Sequence, residues 1–294
     1  MHARSVLANV TAADIVRTPF PHVVIDNCLP EEYYQALAAA YPPMNAILQL
    51  CRTNPHRAFS FVGEVEEQNS RYDISAFQTL HRPGRVSEIW LDFVRYHTSG
   101  AFFQEVATLF GKEIRLAYPF LEEAVGRPLV EWSSGVRHAS DCDISLDCQI
   151  GINTAVSRAS SVRRVHTDAP VELFAILLYF KGDDDDTQGG DLQLYRWKDQ
   201  GVRLFLKEEV HESDAELVAT IEYQTNTMVM FLNTMDSLHA VTPRQPSAHI
   251  RRLVNIIGEV DKSLPGGLYV KEKRKALRYA SRKIVARGKR LLGR

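Results

Sequence analysis

The spacing of apolar and polar residues divides the chain into two parts. In the first 130 residues apolar positions recur at helical spacing, as in VSEIWLDFVRYHTSGAFFQEVATLFG (86–111), where Gly100 and Gly111 are expected to interrupt or cap helices. A further helix is expected over 114–125. TPFPHVVIDNCLP (18–30) suits a short strand, and PEEYYQALAAAYP (30–42) begins with a proline and two acids, as helices often do. We therefore predict a helix-rich N-terminal region.

From about residue 142 the pattern changes to short runs rich in β-branched and aromatic residues. Segments such as KGDDDDTQGG and TPRQP, which are typical of turns, separate these runs. Many short strands in succession favour an antiparallel sandwich, a barrel or a jelly roll. The predicted strands lie within 142–156, 171–180, 191–197, 202–206, 215–223, 227–232 and 250–260.

The composition is that of an ordinary globular protein. With 294 residues, of which 45% are hydrophobic, the chain can bury a sizeable core in one large domain or in a domain with an appended subdomain. No apolar stretch approaches the roughly 18 residues of a membrane span, and the N-terminus lacks the apolar core of a secretory signal. We expect a cytoplasmic protein. Four cysteines without a C-x-x-C pair argue against a zinc ribbon or a disulfide framework, and reduced thiols are expected.

The C-terminal tail differs in charge from the rest of the chain. Residues 271–294 carry eleven Lys or Arg and one Glu, which leaves 24 basic and 35 acidic residues elsewhere, a net charge of −11. Leu277, Ile284 and Leu291 recur every seven residues and share a face with Ala280, so a basic amphipathic helix is predicted. Such a helix packs on its own domain or contacts an anionic membrane or glycan. Nucleic acid is disfavoured because no known nucleic-acid-binding motif accompanies the basic run, in which Tyr279 is the one aromatic residue.

Three residues form a candidate metal site. His166 and Asp168 lie two apart in RRVHTDAP (163–170), directly before an apolar run, and His239 follows an apolar strand in FLNTMDSLHAVTP (231–243). A lone histidine at a strand edge is more often structural. Two histidines and one carboxylate that a strand-rich fold can bring together are instead typical of the facial triad that binds non-haem Fe(II) and leaves coordination positions open.

An arginine near the C-terminus is a candidate anion ligand. An iron enzyme that uses 2-oxoglutarate needs a cation for the distal carboxylate, and arginine binds carboxylates through two parallel hydrogen bonds. In RRLVNII, strand alternation places Arg251 on the same face as Asn255, the only polar residue after the arginines. Arg251 is therefore favoured, and Arg252 is the alternative. The run Asp183–Asp186 is interpreted as a solvated hairpin tip because it lacks the alternation of a calcium loop.

The order of these motifs resembles a known family. H-x-D, LLYF, GGDLQLY, HAVTP and an arginine on the last strand follow one another over residues 145–260 as in the prolyl-4-hydroxylase-like branch of the Fe(II)/2-oxoglutarate dioxygenases. The opening TPFPHVVIDNCLPEEYYQALAAAYP is similar to bacterial members whose substrates are mostly unassigned.

The resemblance implies an α+β fold whose core is a double-stranded β-helix, or jelly roll. The core would span residues 131–262, with the helices of 1–130 packed against it and the basic tail at 263–294. His166, Asp168 and His239 would be the catalytic iron ligands. Arg251 and Tyr179 would hold the distal carboxylate of 2-oxoglutarate. The paired Gly189 and Gly190 would shape the backbone before the next strand.

The resemblance also implies hydroxylation of a substrate with Fe(II), 2-oxoglutarate and O2, with ascorbate as a stimulant. The carboxylate of Asp168 favours hydroxylation over halogenation, which requires a small residue at that position. The expected substrate is a small molecule, a glycan or a lipid-linked precursor, at or near the inner face of the membrane. Three alternatives stay open: a protein prolyl hydroxylase, a cupin-like isomerase or sugar-binding module, and a non-enzymatic membrane or glycan adaptor.

Overall fold

Two β-sheets form the centre of the protein. The computed structural model describes residues 4–52, 68–82, 84–199, 210–260, 264 and 267–269. Within these ranges the strands are β1 (His22–Ile25), β2 (Arg71–Ile74), β3 (Ser134–Val136), β4 (Ile144–Asn153), β5 (Glu172–Tyr179), β6 (Leu192–Trp197), β7 (Ala215–Ile221), β8 (Met228–Leu232), β9 (Leu238–Val241) and β10 (Arg251–Glu259). The larger sheet has the order β1-β8-β5-β10-β4-β2, with β3 parallel to β4, and the smaller sheet has the order β7-β6-β9.

Helices cover the outer face of the larger sheet. They are α1 (Glu31–Ala39), α2 (Met44–Arg52), α3 (Ala76–His81), α4 (Glu88–His97), α5 (Gly100–Ala117) and α6 (Leu121–Val125). Ser99 caps α5, since its hydroxyl accepts a hydrogen bond from the backbone N–H of Phe102. The mixed α+β character that the sequence predicted is confirmed, as are α1, β1 and six of the strands expected after residue 142.

Two predicted helix boundaries were wrong. Gly111 does not cap a helix, because α5 continues through it to Ala117. The helix expected over 114–125 is two helices separated by Tyr118, Pro119 and Phe120. Pro119 explains the break, since proline disfavours the helical conformation of the residue before it and lacks a backbone N–H.

The central strands β4 and β10 have one apolar and one polar face. Ile150 and Ile152 on β4, with Val254 and Ile256 on β10, are buried against the helices. Removal of each such side chain from water stabilises the folded state by about 1.5–3 kcal/mol. The opposite residues of both strands point between the two sheets and are mostly polar. We call this side the inner face. On it, Leu253 packs with Leu192 and Leu194 of β6, and the candidate site lies there.

The N-terminal region also contributes strands to the larger sheet. β1 pairs with β8 at one edge, and β2 pairs with β4 at the other. The sequence pattern did not predict β2, β3 or β9. The domain boundaries at residues 130 and 262 remain predictions.

Two predicted elements lie outside the described residues, the strand at 202–206 and the basic tail within 263–294. Among the helices of the described part, none is both long and apolar enough to cross a membrane.

We predict that buried His97 makes the protein sensitive to acid. Its side chain is fully buried in α4, its Nδ1–H donates to the carbonyl of Phe93 at 2.8 Å, and its Nε2 accepts from the N–H of Val6 at 3.2 Å. Burial lowers the pKa of His97 to about 3. The unfolded chain therefore takes up a proton below its ordinary pKa of about 6.5 while the folded chain does not, so folding free energy is lost as pH falls from that value towards 3.

Urea denaturation across this pH range tests the prediction. His97 should account for about 2–3 kcal/mol of the loss between pH 6.5 and 4.5. His97→Gln should therefore show a shallower pH dependence than the wild type, whatever its stability at neutral pH. His81→Gln, a substitution of an exposed histidine at the end of α3, is the control and should follow the wild type. Curves of equal slope for wild type and His97→Gln would rule the explanation out.

Candidate functional site

A pair of backbone hydrogen bonds brings two distant histidines together. The N–H of His166 donates to the carbonyl of His239 at 2.9 Å, and the N–H of His239 donates to the carbonyl of His166 at 2.9 Å. This is the hydrogen-bonded pair of an antiparallel ladder, whose side chains leave the same face side by side. The imidazole centroids are 4.1 Å apart. His166 lies in an extended segment that pairs with β9 through this isolated bridge, and the N–H of Val241 donates to the carbonyl of Arg163 in the same segment at 3.2 Å.

Both imidazoles have one nitrogen occupied by a backbone carbonyl. The Nδ1–H of His166 donates to the carbonyl of Arg164 at 2.7 Å, and the Nδ1–H of His239 donates to the carbonyl of Ser237 at 3.0 Å. A neutral imidazole that donates from Nδ1 keeps its lone pair on Nε2. Metal-binding histidines in proteins are oriented in this way. Both Nε2 atoms are therefore available to bind the same metal ion.

Asp168 completes the group. Its Oδ1 lies 3.6 Å from Nε2 of His166 and 3.5 Å from Nε2 of His239. The ligand atoms of the three residues lie within 4.8 Å of one another, and among the described residues this is the one group of three or more such ligands. Bonds of about 2.0–2.2 Å to a divalent ion fit these separations. The donor set of two imidazoles and one carboxylate suits Fe(II) with open positions.

The charges in this group are arranged for metal binding. Burial lowers the pKa of His166, and the neighbouring His239 adds to the effect, so the imidazole stays neutral to lower pH than an exposed histidine. Burial alone would raise the pKa of Asp168, but the two imidazoles outweigh it and hold the pKa well below its usual range. A neutral histidine and an ionised carboxylate are the forms that bind a metal ion.

The structure places Arg251 and Arg252 on opposite faces of β10. Arg251 is buried between the sheets, whereas Arg252 is exposed. The guanidinium of Arg251 lies between two aromatic rings, with its central carbon 5.0 Å from the ring centroid of Tyr179 and 4.9 Å from that of Tyr223. Its Nη1 donates to Oδ1 of Asn153 at 3.3 Å. Of the two arginines, only Arg251 is oriented towards the space between the sheets.

Several buried hydrogen-bond donors around Arg251 have no partner. Within the described residues, no acceptor has hydrogen-bonding geometry with Nε of Arg251, the hydroxyl of Tyr179 or Nδ2 of Asn153. Leaving such a group buried and unpaired costs about 1–3 kcal/mol each. Burial raises the pKa of Tyr179, with the Arg251 charge opposing this, so its hydroxyl keeps its proton. Buried donors next to a cation form a site for an anion that accepts several hydrogen bonds.

Three residues of this anion site were not found from the sequence. Asn153 ends β4, Tyr223 follows β7, and Arg244 lies in TPRQP, which was interpreted only as a turn. The alternation along β4 could have indicated that Asn153 shares a face with Gln149. Arg244 carried no such signal, since arginines in loops are usually solvated.

The paired glycines before β6 have the unusual backbone shape that was predicted, and Gly190 lies beside Arg251. Gly189 and Gly190 have φ angles of +80° and +85°, which side chains rarely adopt. A Cβ on Gly189 would lie 2.1 Å from the carbonyl oxygen of Pro243. The glycines follow the aspartate run, which lies in a connection between the two sheets and not at a hairpin tip. Three of the four aspartates are exposed, and Asp185 is buried with Oδ1 accepting from the N–H of Thr187.

The metal group, formed by His166, Asp168 and His239, and the anion site around Arg251 both border one apolar cluster. The ring of Phe231 lies 4.8 Å from the ring of His239 and packs in the same cluster as Tyr179 and Leu253.

Comparison with solved structures finds distant likenesses over most of the chain. A prolyl hydroxylase from Trichoplax adhaerens, in complex with a hypoxia inducible factor peptide fragment, shows 12% identity and a TM-score of 0.47 over 89% of this chain and 92% of that chain. A Pseudomonas putida prolyl-4-hydroxylase shows 15% identity and a TM-score of 0.41 over 88% and 98% of the two chains. The auxin-oxidising dioxygenase 1 of Arabidopsis thaliana, in a 2-oxoglutarate complex, shows 11% identity and a TM-score of 0.45 over 83% and 85%.

Neither a protein-family model nor a curated protein sequence matches the chain. The similar structures include the class of enzyme that the sequence motifs resemble. At these identities and scores, they carry no argument about activity. Function is therefore inferred from the geometry of the site.

We predict that Asp168 and His239 are required for binding of a divalent metal ion. Fe(II) at about 100 times its dissociation constant should raise the free energy of unfolding by about 2.7 kcal/mol under anaerobic conditions, and a chelator should reverse the effect. Asp168→Asn and His239→Gln should lose this stabilisation because each removes a ligand. Chemical denaturation with and without Fe(II) measures it. Asp186→Asn and His211→Gln, both at exposed positions, are matched controls that should keep it. Equal stabilisation of all four variants would exclude the site.

Proposed function

We propose that the protein is an Fe(II)- and 2-oxoglutarate-dependent dioxygenase that hydroxylates its substrate, with a double-stranded β-helix as its core. The path of the strands supports this fold, since β5 is followed by β6 and β7 in the smaller sheet, β8 in the larger, β9 in the smaller and β10 in the larger. Such alternation between two facing sheets is how a jelly roll is wound. His166, Asp168 and His239 would hold the iron in this fold.

One observation carries the proposal above all. A three-ligand metal group and a buried cationic site with unpaired donors border the same apolar cluster, and a 2-oxo dicarboxylic acid needs both. Its 2-oxo acid end binds a metal with open positions, and its distal carboxylate accepts hydrogen bonds from Arg251, Tyr179 and Asn153. Binding of the carboxylate would satisfy donors that are otherwise buried without partners. A metal site alone would not require this second feature.

Each residue of the site has a definite part. When bound, iron with 2-oxoglutarate and O2 supplies the oxidative decarboxylation to succinate and CO2 that places one oxygen atom on a substrate C–H bond. His166 and His239 present Nε2 because their Nδ1–H groups are held by backbone carbonyls. Arg251 orients the co-substrate through charge and a planar pair of donors. The buried Phe231 and Leu253 would limit water around the bound co-substrate, which would strengthen these electrostatic interactions.

The polar inner face of the larger sheet supports a polar substrate. β4 and β10 place Gln149 opposite Asn255, and the Oδ1 of Asn255 is buried without a hydrogen-bond partner in the described part of the chain. At the end of the sheet near β3, Arg137 forms ion pairs with Asp147 at 3.5 Å and Glu259 at 2.8 Å. We therefore favour a polar small molecule or glycan over a prolyl peptide. Contact of the basic tail with an anionic membrane remains a separate proposal.

Two other functions fit these observations less well. A cupin-like isomerase or sugar-binding module could use the same metal ligands, but it has no need for a buried arginine with unpaired donors beside the metal group. An adaptor built on an inactive oxygenase has no need for histidines oriented to expose Nε2. A third possibility, prolyl hydroxylation of a protein, differs from our proposal only in substrate.

We predict that Arg251→Met weakens 2-oxoglutarate binding by about 2–3 kcal/mol, or roughly 30- to 150-fold, because it removes charge-assisted hydrogen bonds in a buried site. Arg252→Met removes the same charge from the opposite face of β10 and should change the affinity little. Succinate formation at graded 2-oxoglutarate concentrations, with Fe(II) and ascorbate, measures the apparent KM for the co-substrate. Calorimetric titration under anaerobic conditions provides the dissociation constant independently of turnover.

The outcomes separate the alternatives. If wild-type protein with Fe(II) binds no 2-oxoglutarate in the absence of oxygen, the dioxygenase proposal fails and the cupin-like alternative gains. If Arg252→Met loses affinity and Arg251→Met does not, the assignment of the anion site is wrong although the reaction stands.

A further inference from the structure

A second arginine lies buried beside Arg251. Arg244 is only 1% exposed, and it belongs to the loop that connects β9 with β10. An added Cβ on Gly190 would lie 3.2 Å from Cγ of Arg244 and 3.2 Å from both Cδ and Nε of Arg251. Because both atoms lie 3.2 Å from the same point, Cγ of Arg244 and Cδ of Arg251 are at most 6.4 Å apart. Both stems pass close to Gly190, whose φ of +85° itself disfavours a residue with a side chain.

The hydrogen bonds of Arg244 hold the walls of the anion site. Its Nη1 donates to the carbonyl of Thr154 at 2.8 Å and to Oδ1 of Asn69 at 3.2 Å, and its Nη2 donates to the carbonyl of His249 at 2.7 Å. Thr154 follows Asn153, which contacts Arg251, and His249 lies two residues before Arg251. One guanidinium therefore connects the end of β4 with the start of β10.

All three acceptors of Arg244 are neutral. Among the described residues, no carboxylate lies within ion-pair distance of Arg244 or Arg251, and Nε of each has no acceptor. The nearby acids are hydrogen-bonded elsewhere. Asp185 accepts from the N–H of Thr187, and Asp191 accepts from the N–H of Tyr223 and the hydroxyl of Thr242.

The two charges also repel each other. Burial lowers the pKa of Arg244, and the charge of Arg251 lowers it further, while Tyr223 and Asp185 oppose this. Burying a charge without a counter-charge is costly, and two such charges side by side cost more. An anion bound between the sheets would relieve that cost.

We propose that Arg244 and Arg251 together form a two-guanidinium site for the distal carboxylate of a dicarboxylic 2-oxo acid. Arg251 binds the carboxylate directly, and Arg244 contributes a second positive charge beside it. This inference rests on the proposed function and extends it to co-substrate selectivity. The pocket should discriminate strongly between a 2-oxo acid with a distal carboxylate and one of equal length without it.

A pair of co-substrate analogues tests the inference. 2-Oxoglutarate and 2-oxopentanoate have the same carbon chain, but the second carries a methyl group in place of the distal carboxylate. Calorimetric titration of each into protein with Fe(II), without oxygen, measures the two dissociation constants. At an effective dielectric constant near 20, a unit charge about 6–8 Å away changes a binding constant by roughly 30- to 100-fold. Arg244→Met should weaken 2-oxoglutarate by this factor and leave 2-oxopentanoate within about threefold.

The ratio of the two constants distinguishes charge from folding. A defect in folding alone would weaken both ligands equally and leave the ratio unchanged, which would overturn the inference. Unchanged binding of both ligands would overturn it as well. Arg252→Met removes the same charge from the outer face and should preserve both constants. If the wild type itself binds no 2-oxoglutarate, the proposed function fails, and this inference fails with it.

A conservative variant covers the case in which Arg244→Met does not fold. Arg244→Lys keeps the charge but not the planar contacts with the carbonyls of Thr154 and His249. A retained preference for 2-oxoglutarate over 2-oxopentanoate supports the inference. Loss of that preference in a variant with native circular dichroism contradicts it.

Discussion

The site depends on one antiparallel contact, the reciprocal backbone hydrogen bonds between His166 and His239. These residues are 73 positions apart in the sequence, and the pair of bonds fixes both their separation and the direction of their side chains. Side-chain rotation is then limited by a second set of bonds, from each Nδ1–H to a carbonyl two residues earlier. The metal group is thus determined by main-chain geometry, and Asp168 needs only to reach it from the following turn.

The second constraint is the amphipathic character of β4 and β10. Their apolar faces are buried under the helices, so alternation forces the remaining side chains between the sheets. This explains why the buried Asn153 and the half-buried Gln149 and Asn255 lie between the sheets. Arg251 follows from the same alternation, as does the exposure of Arg252. The polarity of the cavity is therefore a consequence of the strand register.

The same reasoning shows how far the sequence could predict the structure. His166, Asp168 and His239 were identifiable because metal chemistry restricts the residue types, and Arg251 because strand period relates it to Asn255. Arg244 could not be identified in this way, because its burial depends on how a loop passes Gly190, and no local sequence pattern predicts that path. The helix break at Pro119 was readable from proline chemistry but was missed. β2 has only four residues, and it is stabilised by pairing with a strand some 80 positions later. Its local sequence therefore does not predict it.

The positions of β1 and β2 have a consequence for the integrity of the larger sheet. Each covers the free hydrogen-bonding groups of the strand beside it, β8 on one side and β4 on the other. An open strand edge of this kind readily pairs with another molecule. The N-terminal region therefore also acts as protection against intermolecular strand addition. A fragment limited to the segment that carries the metal ligands would expose both edges and be prone to self-association.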